Sequence, residues 1–330
     1  MQIVAGLGSI DEYERFVKAG ADEFFCGYVP FSWAEKYGVM NSLNRREVLY
    51  YNVQIGSMSE LQILKKMVDY YGKPVKLTFN SLCYTREQYP MIAEIITQCM
   101  QAGFNNFILA DPALILYLRQ QKIHCGIHLS GEMAEVNRIM LEEMMQFDIR
   151  RVIFHRKNSL DDMENCISHI KRRSISPEEY EAFILNELCQ FSGAFCNSLH
   201  CDELTHLCRV PYEFGNLYPE EKENLPVREK LKTEKRPETD EEELPYDEDG
   251  YLTGSTGCGL CALYRMKQIG ITHLKLVGRG NYTDFMERDI RQLRKALELL
   301  DDAENEADYQ KTMRKAVFPE GCGKKCYYYI

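Results

Sequence analysis

The chain is expected to fold as an α/β protein of the (β/α)8, TIM-barrel-like class, and three observations lead there. Short runs rich in β-branched and aromatic residues alternate with longer stretches of helical periodicity along nearly the whole sequence. Eight such runs can be counted, the number that closes a parallel barrel. The 330 residues, 45% of them hydrophobic, suffice for one large core plus an insertion.

In order, the strand candidates are IVAGL (3–7), EFFCGY (23–28), VKLTFN (75–80), NNFILAD (105–111), HCGIHLS (124–130), RRVIFHR (150–156), AFILNEL (182–188) and THLKLVGR (272–279). Between them lie amphipathic segments such as SIDEYERFVKAG, SMSELQILKKMVDYYG, PMIAEIITQCMQAG and MLEEMMQF, several ending at a glycine placed to cap the last turn. Ser9 with Glu12, and Ser57 with Glu60, have capping-box spacing. The interval 29–58 fits no single element and is expected to cross the barrel mouth as a substrate lid.

The domain reading is a barrel from 1–190 and 270–300, a cysteine-bearing insertion at 191–269, and a helix with a cysteine-rich tail at 301–330. Within the insertion, residues 219–249 hold 13 acidic and 6 basic side chains, a net of -7 out of -10 for the whole chain. That stretch has too little apolar surface to offset ordering entropy and reads as a solvated, disordered insertion. The acidic balance disfavours nucleic acid, whose binding draws on Lys and Arg, so RNA is the less favoured substrate beside a small molecule or peptide. The basic groups at Arg45 and Arg46, at Arg150, Arg151, Arg156 and Lys157, and at Lys171, Arg172 and Arg173 are expected to be solvated helix ends and loops.

Eight of the thirteen cysteines fall in three short stretches: Cys189, Cys196, Cys201 and Cys208, then Cys258 and Cys261, then Cys322 and Cys326. No apolar N-terminal run suggests export and no apolar stretch approaches a bilayer span, so the chain reads as cytoplasmic, with reduced thiols and no membrane contact. Clustered cysteines in that setting point to metal ligands or redox centres. Cys26, Cys83, Cys99, Cys125 and Cys166 sit in apolar or periodic segments and are expected to be inert core thiols. Lys324 and Lys325 are expected to lower the pKa of the thiols beside them.

Chemistry on a barrel belongs where the βα loops meet, at the C-terminal strand ends. There the sequence offers Asn80, Asp111, His128 with Ser130, His155 with Arg156, Cys189 and Arg279. His128 and Ser130 share a strand face by parity, but no third group completes an acyl-transfer triad. The glycine-rich GYLTGSTGCG at 250–259 lacks the Walker lysine. Arg279 with His128 and Arg156 makes a candidate anion site, suited to a carboxylate-bearing small molecule.

Several segments carry a family resemblance. GSIDEYERFVKAGADEFFCG, VKLTFNSL, HLSGEMAEVN with His128, Ser130 and Asn137, NELCQFSGAFC followed by LCRVPY, and CALYRMKQIGITHLKLVGR with Cys261 ahead of Lys275 and Arg279 resemble the motifs of the U32 peptidase family, from Gly8 to about Arg288. Two departures stand out: Leu185 and Asn186 replace a His-Gly pair, and Val277 replaces a glutamate.

The resemblance implies an N-terminal barrel and a 4Fe-4S cluster on Cys189, Cys196, Cys208 and Cys261. It also implies oxygen-independent hydroxylation of RNA bases or quinone precursors, with prephenate as a hydroxyl donor in some members. Four thiolates suit zinc as well, but intervals of 7, 12 and 53 residues scatter the ligands over separate loops, as a cluster tolerates. Cys201, Cys258, Cys322 and Cys326 remain as a second metal set. The expected function is an iron-sulfur oxidoreductase or hydroxylase, with His128, Arg156 and Arg279 as catalytic candidates. The alternatives are a peptidase acting on peptides, and a non-catalytic cluster-bearing protein paired with a homologous subunit.

Overall fold

Every one of the expected strands forms. A computed structural model describes residues 1–38, 42–45, 54–133, 136–174, 177–189, 196, 246–279 and 281–328. In it β1 (Gln2–Leu7), β2 (Glu23–Gly27), β3 (Val75–Phe79), β4 (Asn106–Leu109), β5 (Gly126–Leu129), β6 (Ile149–Ile153), β7 (Glu179–Leu185) and β8 (His273–Leu276) pair in sequence order, all parallel. The pairing of Gln2 with His273 and of Val4 with Lys275 closes the barrel.

The helices are α1 (Asp11–Ala19), α2 (Phe31–Tyr37), α3 (Met58–Tyr71), α4 (Tyr89–Gln101), α5 (Pro112–Gln120), α6 (Arg138–Met144), α7 (Leu160–Arg172), α8 (Leu263–Ile269), α9 (Thr283–Asp301) and α10 (Glu306–Val317). Their local sequence explains their limits. α3 starts at a reciprocal capping box, with the Glu60 amide donating to Ser57 Oγ at 3.2 Å and the Ser57 amide donating to Glu60 at 2.9 Å. α7 starts the same way at Ser159 and Asp162. The Ser9 and Glu12 spacing gives no such box: Ile10 occupies the cap position of α1, and Glu12 accepts the Gly8 amide at 2.7 Å instead. α1 buries Tyr13, Phe16 and Ala19 on one stripe and ends at Gly20, whose φ of 111° a side chain would resist.

α8 is the crossover helix between β7 and β8, so the barrel resumes at Leu263, seven residues before the expected boundary at 270. Most of the acidic stretch, 219–245, lies outside the described residues. Among the described residues no helix is long and apolar enough to cross a membrane.

The barrel interior is charged. Arg151 of β6, with no exposed side-chain surface, reaches across to Glu23 of β2 through Nη1 and Nη2 at 2.5 and 2.9 Å, and bonds Glu181 of β7 at 2.6 Å. Glu179 closes on the same guanidinium at 2.6 Å, Lys275 of β8 pairs with Glu181 at 2.8 Å, and Lys76 of β3 stands 3.6 Å from Glu23. Three carboxylates and three cations balance in a space that would strongly penalise any one of them alone. Arg151 is thus a buried structural residue and Arg45 is buried above it, in place of the solvated surfaces expected for both; Arg156, expected either in a solvated basic run or at an anion site, is buried as well.

Candidate active site at the barrel mouth

Above that ionic layer the strand ends open into a cavity of about 650 Å³, measured to include its mouth. Phe25, Ile108, Ile153, Phe183 and Val277 give it apolar walls, and Arg45, Arg156, Lys275 and Arg279 bring four cations to it. Glu132 and Glu187 are its carboxylates.

Arg279, three residues past β8, crosses the top of the barrel because two strands offer glycines beneath it. A Cβ on Gly6 would stand 2.7 Å from Arg279 Cγ, and one on Gly27 would stand 2.9 Å from Nη1. Nη1 donates to Asn44 Oδ1 at 3.3 Å and to Thr78 Oγ1 at 3.2 Å. Arg156, past β6, lies over the Phe183 ring at 4.3 Å, and its Nε has no hydrogen-bond partner among the described residues. Arg45 donates from Nη1 to the Cys196 carbonyl at 2.8 Å. Glu132 stands between Arg45 and Arg156 at 3.7 and 3.9 Å, where its carboxylate offsets part of their charge. Lys275 Nζ lies 3.7 Å from the centre of the Phe25 ring.

Of the residues singled out from sequence, Asn80, Ser130, Arg156 and Arg279 line this cavity. His128 does not. It is buried below, where desolvation and then the charges of Arg151, Lys76, Lys275 and His273 hold its pKa well under the ordinary value, so the ring is neutral. His128 Nδ1 has no hydrogen-bond partner among the described residues, and Ser130 Oγ accepts the Glu132 amide at 3.2 Å. No Ser–His hydrogen bond forms between these two residues. Asp111 is a cap and not a site residue: it accepts the Ala113 amide at 2.8 Å, the Tyr84 amide at 3.0 Å and the Tyr89 hydroxyl at 3.1 Å. Asn137 likewise caps α6. His155 is fully buried, its Nδ1 accepting the Lys157 amide at 3.1 Å.

Sequence reasoning missed Glu132, Glu187, Thr78 and Phe25 as pocket residues, and did not see Arg45 as one. A signal for Arg45 existed: it sits in the 29–58 interval expected to cross the mouth, and residues 42–45 do lie there, with Leu43, Asn44 and Arg45 buried. Residues 39–41 and 46–53 of that interval lie outside the described residues.

The cysteines divide into two places. Cys189 follows β7 and is half-buried, and Cys196 is buried with its backbone carbonyl accepting from Arg45, a residue of the mouth. Cys201 and Cys208 lie outside the described residues. Cys261 lines a second, smaller pocket together with Cys258, Cys322 and Cys326. Among the described residues no three His, Cys, Asp or Glu side chains are drawn in to the distances of ligands on one ion. Burial pushes the Cys258 thiol up to about 12 and also raises Cys326, against the expectation that Lys324 and Lys325 would lower it. Cys26, Cys99, Cys125 and Cys166 are buried as expected, with thiols raised by desolvation, while Cys83 is exposed.

The sequence profile of peptidase family U32 matches residues 8–329. The chain belongs to peptidase family U32. A relative within reach of this U32 chain is tRNA hydroxylation protein P of Escherichia coli (strain K12), 23% identical over 90% of this chain and 68% of its own length. Among solved structures, a U32 peptidase aligns with 11% identity over 56% of this chain and 69% of its own, at a TM-score of 0.40. Dihydrodipicolinate synthase from Bacillus clausii aligns with 10% identity over 96% and 79%, at a TM-score of 0.47.

The two departures from the U32 motifs have structural correlates. Asn186, where the motif has glycine, adopts a φ of 69°, the left-handed region that asparagine tolerates better than other side chains. Its Nδ2 donates to the buried Asp289 at 2.6 Å, which pins the turn. Val277, where the motif has glutamate, is part of the cavity wall, so that wall carries no carboxylate at this position.

Proposed function

We propose that this U32 chain is a hydroxylase-type enzyme whose barrel mouth receives a substrate bearing carboxylate groups. The observation that carries this reading is the convergence of Arg45, Arg156, Lys275 and Arg279 on one apolar-walled cavity. The chemistry named for the E. coli relative, hydroxylation, supports the reaction type. Arg279, fixed through Asn44 and Thr78, presents a pre-positioned guanidinium to a carboxylate. Arg156, stacked on Phe183 and two strands away from Arg279, offers a second guanidinium at the same cavity. A dicarboxylate such as prephenate, the hydroxyl donor implied by the family resemblance, matches two guanidinium groups set between apolar walls. The aromatic walls would keep water from competing for those charges.

The proposal includes an iron-sulfur cluster, for which the family resemblance names Cys189, Cys196, Cys208 and Cys261. Cys261 lines the separate pocket with Cys258, Cys322 and Cys326, so the cluster is proposed on Cys189 and Cys196 and not on Cys261. Cys189 follows β7 at the C-terminal end of the barrel, and the Cys196 backbone is tied to Arg45 of the mouth, which is consistent with that role. When bound, such a cluster supplies one-electron redox chemistry beside the substrate. The protein's own part is to bind and orient: Arg156 lines the cavity that would receive the substrate. Peptidase chemistry, the alternative reading, would have to draw on a thiol or a metal, because Ser130 and His128 do not form a nucleophile and base pair.

Calorimetric titration with prephenate tests the substrate assignment. Binding to the wild type that weakens at least tenfold in Arg156→Ala and in Arg279→Ala is expected, the cost of losing a charged hydrogen bond of about 1.5–3 kcal/mol. Binding that is absent, or unchanged in both variants, would count against it.

A further inference from the structure

We propose that Cys258, Cys261, Cys322 and Cys326 form a four-thiolate zinc site, separate from the cysteines at the barrel mouth. The spacing is that of two metal knuckles, with two residues between Cys258 and Cys261 and three between Cys322 and Cys326. The fold has already joined the knuckles. Cys258 and Cys326 form a parallel β-bridge, the Cys258 amide donating to the Lys325 carbonyl at 2.9 Å and the Tyr327 amide donating to the Cys258 carbonyl at 2.8 Å. Cys261 follows in the single turn Leu260–Ala262 that leads into α8, so backbone hydrogen bonds hold both pairs at one small pocket.

Charge is the second, independent observation. A zinc ion on four thiolates carries a net charge of about -2, which a site must compensate. Arg314, Lys324 and Lys325 line this pocket, and no Asp or Glu does. Arg314 Nε already donates to Cys261 Sγ at 3.2 Å, the kind of outer hydrogen bond that stabilises a metal-bound thiolate. The rest of the lining, with Ala262, Phe318 and Tyr328, is apolar enough to exclude water. Closing on the ion takes rotation of thiol side chains, since no three potential ligands among the described residues are yet drawn in to ligand distance.

The site would fasten the segment after α10 onto the barrel. Tyr328, two residues beyond Cys326, donates to the Phe183 carbonyl of β7 at 2.8 Å, and Phe183 is the ring on which Arg156 rests. Tyr327 packs on Gly257, where a Cβ would come within 2.6 Å of its ring. Zinc there acts as a structural staple one layer behind the substrate pocket. The inference does not depend on the proposed cluster, and Cys261 is the residue on which it differs from the family resemblance.

The experiment is zinc, iron and sulfide analysis of the full chain purified without oxygen, with cobalt(II) titration of the chelator-treated protein as a spectroscopic readout. The wild type should hold about one zinc per chain. Cys258→Ser/Cys261→Ser and Cys322→Ser/Cys326→Ser should each lose that zinc and the visible absorption of thiolate-bound cobalt, while Cys189→Ser/Cys196→Ser keeps both. Cys261→Ser alone should lose zinc and retain any iron. Loss of iron with zinc retained in Cys261→Ser, or loss of iron and sulfide in Cys322→Ser/Cys326→Ser, would overturn the assignment. Should the variants fail to fold, alkylation mapping of the wild type decides: the four thiols should react only after chelation, and equal reactivity before and after would refute the site.

Discussion

Arg279 lies directly across Gly6, so closely that a Cβ there would stand 2.7 Å from the arginine Cγ. The clash would involve the stem of a side chain that is buried and fixed at its far end by Asn44 and Thr78, which leaves little room to yield. The glycine on β1 therefore sets where the guanidinium after β8 can point, and links the barrel wall to the substrate pocket.

Gly6→Ala should displace Arg279 without removing it. The expected result is a weakening of carboxylate binding by about tenfold, comparable to loss of one charged hydrogen bond, with the folded state retained. Titration of the variant with the same dicarboxylate checks this, and wild-type affinity would show that Arg279 does not need the space.

Arg151→Met should destabilise the barrel by about 3–5 kcal/mol, because Glu23, Glu179 and Glu181 would be left facing one another in the interior. Urea unfolding of the variant measures it. A loss below about 1 kcal/mol, the range of exposed pairs, would mean that the network is solvated.

The interior also sets a pH dependence. His128 has a folded pKa well below its unfolded value of about 6.5. Between those two values the unfolded chain binds the extra proton, so this contribution to stability is complete above about pH 6.5 and is lost as pH falls. His128→Asn should therefore flatten the decline in stability below pH 6.5, by up to about 1.4 kcal/mol per pH unit. His273, also lowered by burial, leaves a residual slope of the same sign. Asp289 contributes with the opposite sign: burial raises it to about 6, so its contribution is present at low pH and is lost as pH rises through that value. Unfolding midpoints of wild type and variant across pH 5–8 separate these, and parallel curves would contradict the assignment to His128.

The strands were legible because each is a short apolar run bounded by helical periodicity, and the barrel needed only that they be counted. Arg156 and Arg279 were legible as residues of the barrel mouth because they follow strands, and strand ends converge there. Asp111 met the same criterion and proved to be a helix cap, since position along a strand does not say whether a carboxylate turns inward or back to an amide. The ionic layer was hidden for a related reason: Arg151 reads as part of a basic surface run, and only the closed sheet brings Glu23 opposite it, 128 residues away. The grouping of Cys261 with Cys322 and Cys326 depends on where α10 lays the segment that follows it, which no local pattern encodes.

The most direct test of the redox assignment is iron and acid-labile sulfide in the chain purified without oxygen, compared with Cys189→Ala and Cys196→Ala. The account predicts iron and sulfide in the wild type, with sulfide-to-iron absorption, and loss of both in either variant. A wild type free of iron and sulfide, or variants that retain them in full, would contradict it.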